Sequence, residues 1–138
     1  MNNLNDKLNK RLLRLAIKSY KKNEVPVSAA IVYKNKIIAS ASNNRQKKYD
    51  VTGHAEILAI RKAERKIKDW RLDDCTLYVT LKPCHMCDAI IKESRIKKVY
   101  YWLNCNKKNT DNSAVDYQQT KPNEKYEELF KKFFKNMR

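Results

Sequence analysis

Residues 83–87 read P-C-H-M-C and follow directly on the β-branched, apolar run C-T-L-Y-V-T-L at 75–81. That run predicts a buried central strand. Pro83 sits just before the first turn of a helix over about 84–94. Cys84 and Cys87 lie three apart on that first turn, so both sulfurs can face one point. The positive end of the helix favours thiolate, the metal-binding form of cysteine. Two thiolates do not complete a zinc site, and the chain has only two histidines, His54 and His85. His85 lies between the cysteines and is expected to point away. His54 opens another predicted helix, over about 54–67, 30 residues before Cys84.

His54, Cys84 and Cys87 supply three ligands, and no convincing fourth accompanies them. Cys75 begins a strand and Cys105 falls in a polar loop. Three protein ligands leave one position open for water, which is the catalytic and not the structural zinc pattern. Glu56, two residues after His54, places a carboxylate where it can take a proton from that water. C-x-x-C alone is a weak signal, and so is H-A-E. Both together, each at a helix start and separated by a strand, are a strong one. The competing arrangement is a structural zinc with four ligands.

The rest of the chain fits around this unit. Leu4, Leu8, Leu12, Leu15 and Ala16 recur at helical spacing over 4–22, which predicts an amphipathic helix packed on a core. Residues 27–33 and 37–42 read as strands joined at Lys34-Asn35-Lys36. The segment N-N-R-Q-K-K-Y-D-V-T-G reads as a polar loop, K-K-V-Y-Y-W as another strand, and 124–138 as a closing amphipathic helix. Residues 103–123 read as irregular. Helices alternating with strands fit an α/β layered domain with a partly parallel sheet, one domain over 1–138.

The 138 residues carry 31 Lys+Arg against 15 Asp+Glu, a net charge of +16. Such an excess favours a polyanionic partner such as nucleic acid. A share of it reflects a Lys-, Asn- and Ile-rich composition with a single glycine. The start of the chain has no apolar core of signal-peptide length, and no run approaches a membrane span of about 20 residues. Four cysteines without secretory features lead us to expect a reducing cytoplasm.

The pair H-A-E and P-C-H-M-C matches the zinc-deaminase signature H-x-E … P-C-x-x-C, a known worked example of base-deaminating enzymes. The chain resembles the bacterial tRNA-specific adenosine deaminases of the zinc-dependent cytidine/deoxycytidylate deaminase superfamily. The stretches E-V-P-V-S-A-A-I-V, H-A-E-I-L-A-I, W-R-L-D-D-C-T-L-Y-V-T-L-K-P-C-H-M-C and S-R-I-K-K-V-Y-Y carry the resemblance, which is good over 11–101. It implies a three-layer α/β/α fold with a central mixed sheet. It implies zinc on His54, Cys84 and Cys87, and Glu56 as the proton shuttle for hydrolysis of a flipped wobble adenosine to inosine. An asparagine after the second strand would hold the base. Asn43 fits best, since it keeps the spacing to His54 and an N-x-R pattern, with Asn44 as the fallback. Val27 and Leu81 would wall the pocket. A homodimer sharing an RNA site with a tRNA anticodon arm is also implied.

Three departures stand out. Lys82 replaces the family's usual Glu before Pro83. The loop after the V-Y-Y strand, 103–109, lacks the family's Arg-Asp pair and glycine. The family's fifth strand has no clear counterpart between Asn104 and Asn123. The altered loop keeps open a deaminase of free guanine, cytosine or a nucleoside. A rival of another class is a non-catalytic RNA-binding module with a structural zinc, against which an intact Glu56 speaks. Candidate phosphate contacts are Lys47, Lys48, Lys82, Lys107, Lys108, Lys131, Lys132 and Lys135. Tyr49, Tyr100, Tyr101 and Trp102 are candidate stacking platforms.

Overall fold

A computed structural model of the chain describes residues 3–104 and 113–136, the side chains at 46, 47 and 136 excepted. Cys105, Lys107, Lys108 and the altered loop beyond Asn104 lie outside the described residues, as does the side chain of Lys47. The elements are α1 (Asn3–Lys21), β1 (Ser28–Tyr33), β2 (Lys36–Ser42), α2 (Arg45–Lys48) and α3 (Ala55–Ile67), then β3 (Cys75–Leu81), α4 (His85–Glu93), β4 (Lys98–Leu103), β5 (Asp116–Gln119) and α5 (Glu124–Asn136).

The strands form one mixed sheet in the order β2-β1-β3-β4-β5. β1 and β2 form an antiparallel hairpin in which Tyr33 pairs with Lys36. The turn is therefore two residues, Lys34 and Asn35, both with positive φ (51° and 63°). That is the primed turn matching strand twist, and Lys36 opens β2. A register shift between Ile31 and Val32 bulges β2. It explains why Ile37 and Ala39, two apart, pack on opposite faces of the sheet. β1 pairs antiparallel with β3, whereas β3, β4 and β5 run parallel.

Strand alternation divides the core in two. Ala29, Ile31, Leu77, Val79, Val99 and Tyr101 face α3 and α4, meeting Ala55, Ala59, Ile60, Ala63 and Ile91. Ala30, Val32 and Trp102 face the other way onto Leu8, Leu12 and Ala16 of α1 and Tyr126 of α5. The result is the three-layer α/β/α arrangement with a mixed sheet.

Two expectations need correction. The fifth strand is present as β5, paired with β4 from Lys98–Asp116 to Tyr101–Gln119. Its four residues are mostly exposed, so no apolar alternation marked it. The loop after β2 contains the single helical turn α2, too short to carry a period.

Candidate active site

β2 and β3 run in the same direction, both antiparallel to β1, so the helices that follow them, α3 and α4, start at the same end of the strands. His54 is the N-cap of α3 and Cys84 the N-cap of α4. Neither side chain caps its own helix, so both are available to point elsewhere. They converge. His54 Nδ1 lies 3.9 Å from Cys84 Sγ and 3.4 Å from Cys87 Sγ. Among the described residues, these three form the group of His, Cys and acidic side chains that can hold a metal, with donor atoms within 4.8 Å of one another. Tetrahedral zinc with ordinary bond lengths separates nitrogen and sulfur ligands by roughly 3.5 Å and two sulfurs by roughly 3.8 Å. The donor set and its spacing therefore fit a zinc-type metal.

The electrostatics agree. The Cys84 thiol is pulled down to about 3, chiefly by a hydrogen bond from Cys87 and then by His54, against the effect of burial. Cys87 is pushed up because it gives that hydrogen bond and because it is buried. His54 is raised by its bond to Cys84, more than burial lowers it. The hydrogen bonds within the cluster thus favour the thiolate of Cys84, the metal-binding form. Glu56, in the first turn of α3, is 4 % exposed. Burial raises its carboxyl to about 7, despite a backbone hydrogen bond and the neighbouring His54. Its Oε1 has no hydrogen-bond partner among the described residues. A buried polar atom without a partner is uncommon, and its orientation beside the cluster marks a site built for a ligand.

Asn43 is held from three sides. Its N–H donates to the Val27 carbonyl at 3.0 Å, and its own carbonyl accepts from Ser19 Oγ at 3.0 Å. Its Oδ1 accepts the Ala55 N–H at 2.8 Å, closing the first turn of α3 beside His54. The side-chain amide NH₂ makes no hydrogen bond among the described residues, and Asn43 borders two surface cavities of about 320 and 290 Å³. Asn44 borders the smaller one. Val27 is buried in the core facing α3, and Leu81 is half-buried against it.

Two residues that sequence reasoning passed over build this corner. The only glycine, Gly53, donates to Asp50 O and accepts from Asn44 N–H at 2.7 Å. A Cβ there would lie 2.7 Å from Asn44 O and 2.9 Å from Arg45 N, both backbone atoms. Glycine is what lets the Asn43–Arg45 segment lie against His54. The buried Glu24 carboxylate accepts the Arg45 N–H at 3.1 Å from the far side. A lone glycine beside a metal-type histidine was the available signal for the first. Glu24 lies in a stretch already matched to the family.

The remaining candidates sort by burial. Tyr101 and Trp102 are core. Tyr100 stacks on Tyr78 at 5.0 Å. Tyr49 is 96 % exposed. His85 is exposed, and Cys75 is buried away from the cluster as a free thiol. Lys82 directs its ammonium over the rings of Tyr117 and Tyr101, at 5.2 and 5.6 Å. Asp88, next to Cys87, accepts hydrogen bonds from Tyr117 OH (2.6 Å) and Ser113 Oγ (2.7 Å) and pairs with Lys92. These bonds lower its pKa even though burial opposes them.

A histidine and a buried glutamate on one helix start, facing two cysteines on the next across a parallel strand, form a group that could hold a metal, in the residue pattern of the zinc deaminases. The chain belongs to the MafB19-like deaminase family, whose model it matches over residues 3–138. It is 38% identical to the tRNA-specific adenosine deaminase of Aquifex aeolicus, over 91% of both chains. A solved structure from a study of A-to-I editing by tRNA:A34 deaminases at the wobble position superimposes with a TM-score of 0.74. The identity there is 32%, covering 84% of this chain and 99% of that one. The Bacillus subtilis guanine deaminase gives a TM-score of 0.68 at 28% identity, covering 99% and 95%. No helix among the described residues is long and apolar enough to cross a membrane.

Proposed function

We propose that the chain hydrolyses the wobble adenosine of a tRNA anticodon to inosine, releasing ammonia. The observation that carries this is Glu56, a buried carboxyl raised to about 7, with one oxygen unpartnered among the described residues, beside the His54–Cys84–Cys87 group. Similarity along nearly the whole length to a tRNA-specific adenosine deaminase supports the substrate.

His54, Cys84 and Cys87 would hold the zinc, which would supply Lewis acidity that lowers the pKa of water to about 7. Glu56 takes the proton from the attacking water and delivers it to the ring nitrogen beside the amine-bearing carbon. It then moves the remaining proton of the added hydroxyl to the amine, so that the carbonyl forms as the C–N bond breaks and ammonia leaves. A buried carboxyl beside the metal-type group can both take up and return a proton. Asn43 has its Oδ1 committed to Ala55 N–H, so it offers its NH₂ to a purine nitrogen acceptor. Asn44 borders the neighbouring cavity and is the alternative contact. Val27 and Leu81 supply the apolar walls. The working unit is a homodimer in the cytoplasm, with the anticodon arm bound across both copies.

The test is direct. Zinc-loaded protein is incubated with an anticodon stem-loop bearing a wobble adenosine, and separately with guanine, cytosine, adenosine and cytidine. Each product is weighed by mass spectrometry for the one-dalton gain of amine-to-carbonyl exchange. Inosine in the RNA alone is expected. Conversion of a free base alone would replace the tRNA assignment with the small-molecule one.

A further inference from the structure

β2 is an edge strand, and two basic helices wrap around it, one from each layer of the sandwich. Arg11 of α1 donates to Ser40 Oγ at 3.0 Å, and Lys62 of α3 donates to the Ser40 carbonyl at 3.0 Å. Both helices are thereby fixed to the same residue of the edge. Between them lies a groove of about 290 Å³. Its floor is Leu15, Leu58 and the β2 backbone. Its walls carry Lys18 from α1, Lys22 from the turn just after it, and Arg61, Lys62 and Arg65 from α3, and no carboxylate lines it among the described residues. Unlike a single lysine-rich helix face, this is a concave site bordered by five cationic residues from two separate stretches of the chain.

Three features give it a direction. The groove includes Asn43, which also borders the cavity lined by Glu24, Arg45 and Tyr49 and whose Oδ1 accepts the Ala55 N–H next to His54. Arg61 and Arg65 also belong to a second, shallower basic cavity that reaches Trp70. Carboxylates line the adjoining cavities and not the groove itself: Glu24 and Asp50 on the Asn43 side, Glu64 and Asp69 here, where Asp69 is paired with Arg71 at 3.0 Å. Trp70 is 52 % exposed, with the guanidinium groups of Arg71 and Arg95 at 5.5 and 5.3 Å from its ring. Along α3, Arg61 lies about 10 Å and Arg65 about 16 Å beyond His54. On duplex spacing that is the reach of three to five phosphates along one strand.

We infer that the groove between α1 and α3 along the β2 edge binds the phosphodiester backbone of the substrate RNA, outside the nucleotide being deaminated. The inference rests on the tRNA reading and adds which face of the enzyme the RNA crosses. A basic groove that begins at Asn43, the residue whose side chain holds the Ala55 N–H beside His54, is what a polyanion requires, and a free nucleobase has no use for it.

The double variant Arg61→Gln/Arg65→Gln tests it, with Arg61→Lys/Arg65→Lys as the charge-preserving control. Both pairs are exposed, and thermal melts check that each variant is folded. Binding of the anticodon arm is measured by anisotropy over a salt series, and deamination by steady-state kinetics. Glutamine is expected to raise KM about tenfold with kcat unchanged. It should also flatten the slope of log K against log salt by about 1.4, for two lost single-strand contacts. Lysine should restore both. An unchanged KM and slope overturns the groove, and so does a raised KM with an unchanged slope. If wild-type protein neither binds nor deaminates the RNA, the tRNA reading fails first, and the variants are not needed to show it.

Discussion

The two ends of α3 make opposite demands on their side chains. At the first turn, His54 and Glu56 are fixed by type. Each meets the Cys84–Cys87 pair in a buried corner, where a one-atom change removes a ligand or a proton carrier. Two turns on, Arg61, Lys62 and Arg65 stand at the surface, defined by charge alone. Buried chemistry is discrete and exposed electrostatics is graded, because water screens and substitutes for the second but not the first. The same helix therefore offers all-or-none variants at one end and small, salt-dependent ones at the other.

The sharpest break of that contrast is Glu56→Gln. The amide is nearly isosteric but neither takes up nor releases a proton at neutral pH, so turnover should fall by about 10² to 10⁴. Binding of the anticodon arm should persist, and zinc content by atomic emission should stay at the wild-type level. The melting temperature should hold or rise, since a neutral amide avoids the cost of burying a charge. Loss of RNA binding along with turnover would mean that Glu56 organises the fold and does not carry the proton. Cys84→Ala should instead lose the metal itself, and added zinc should fail to restore activity.

Asn43 allows the cap and the substrate contact to be separated. Asn43→Asp keeps an acceptor for the Ala55 N–H and places negative charge at a helix start, where it is tolerated or stabilising. It removes the NH₂ donor. Stability should hold while kcat/KM on the RNA falls about 10-fold or more, the worth of a lost hydrogen bond to substrate. Asn43→Ala should also cost about 1 kcal/mol of stability. Equal kcat/KM for Asp and wild type would reduce Asn43 to a capping residue.

Gly53→Ala tests how tightly the same corner is built. The added methyl meets backbone at 2.7–2.9 Å on a segment held by Asn43 and Glu24. Backbone cannot swing aside as a side chain can, so about 1–3 kcal/mol of stability should be lost in chemical denaturation. Activity should fall with it, since His54 is the next residue. A stability unchanged within error would show that the loop is looser than its hydrogen bonds imply.

What sequence revealed follows the same division. His54, Cys84 and Cys87 were legible because histidine and cysteine are rare in the chain and their spacing places them at helix starts, and Glu56 because it lies two residues after His54. The helices other than α2, and β1 to β4, were legible from their apolar residues and flanking turn signals. The groove was not. Lys18 and Lys22 stand some forty residues from Arg61 and Arg65, and nothing local in either helix marks which lysines converge. The sequence candidates for phosphate contact lay elsewhere, and one of them, Lys82, sits instead over two tyrosine rings. β5 escaped for a related reason. Its strand character comes from pairing with β4 and from tethering at Asp88, not from its own apolar pattern.

That tether gives the smallest effect. Asp88 holds the β5 region through two hydroxyls, Tyr117 OH and Ser113 Oγ, and keeps Lys92 as a third partner. Tyr117→Phe removes one donor and leaves the carboxylate served by the others. The ring under the Lys82 ammonium also remains. The expected cost is about 0.5–1.5 kcal/mol, the net value of one hydrogen bond, with zinc content unchanged. Asp88→Ala should cost more, since it strands both hydroxyls. In the double variant the two losses should fall short of their sum by about 0.5 kcal/mol or more, because the residues share one contact. Full additivity would mean that Tyr117 and Asp88 act separately. β5 would then be held by backbone pairing alone, and its junction with α4 would behave like the exposed end of α3 and not like the buried one.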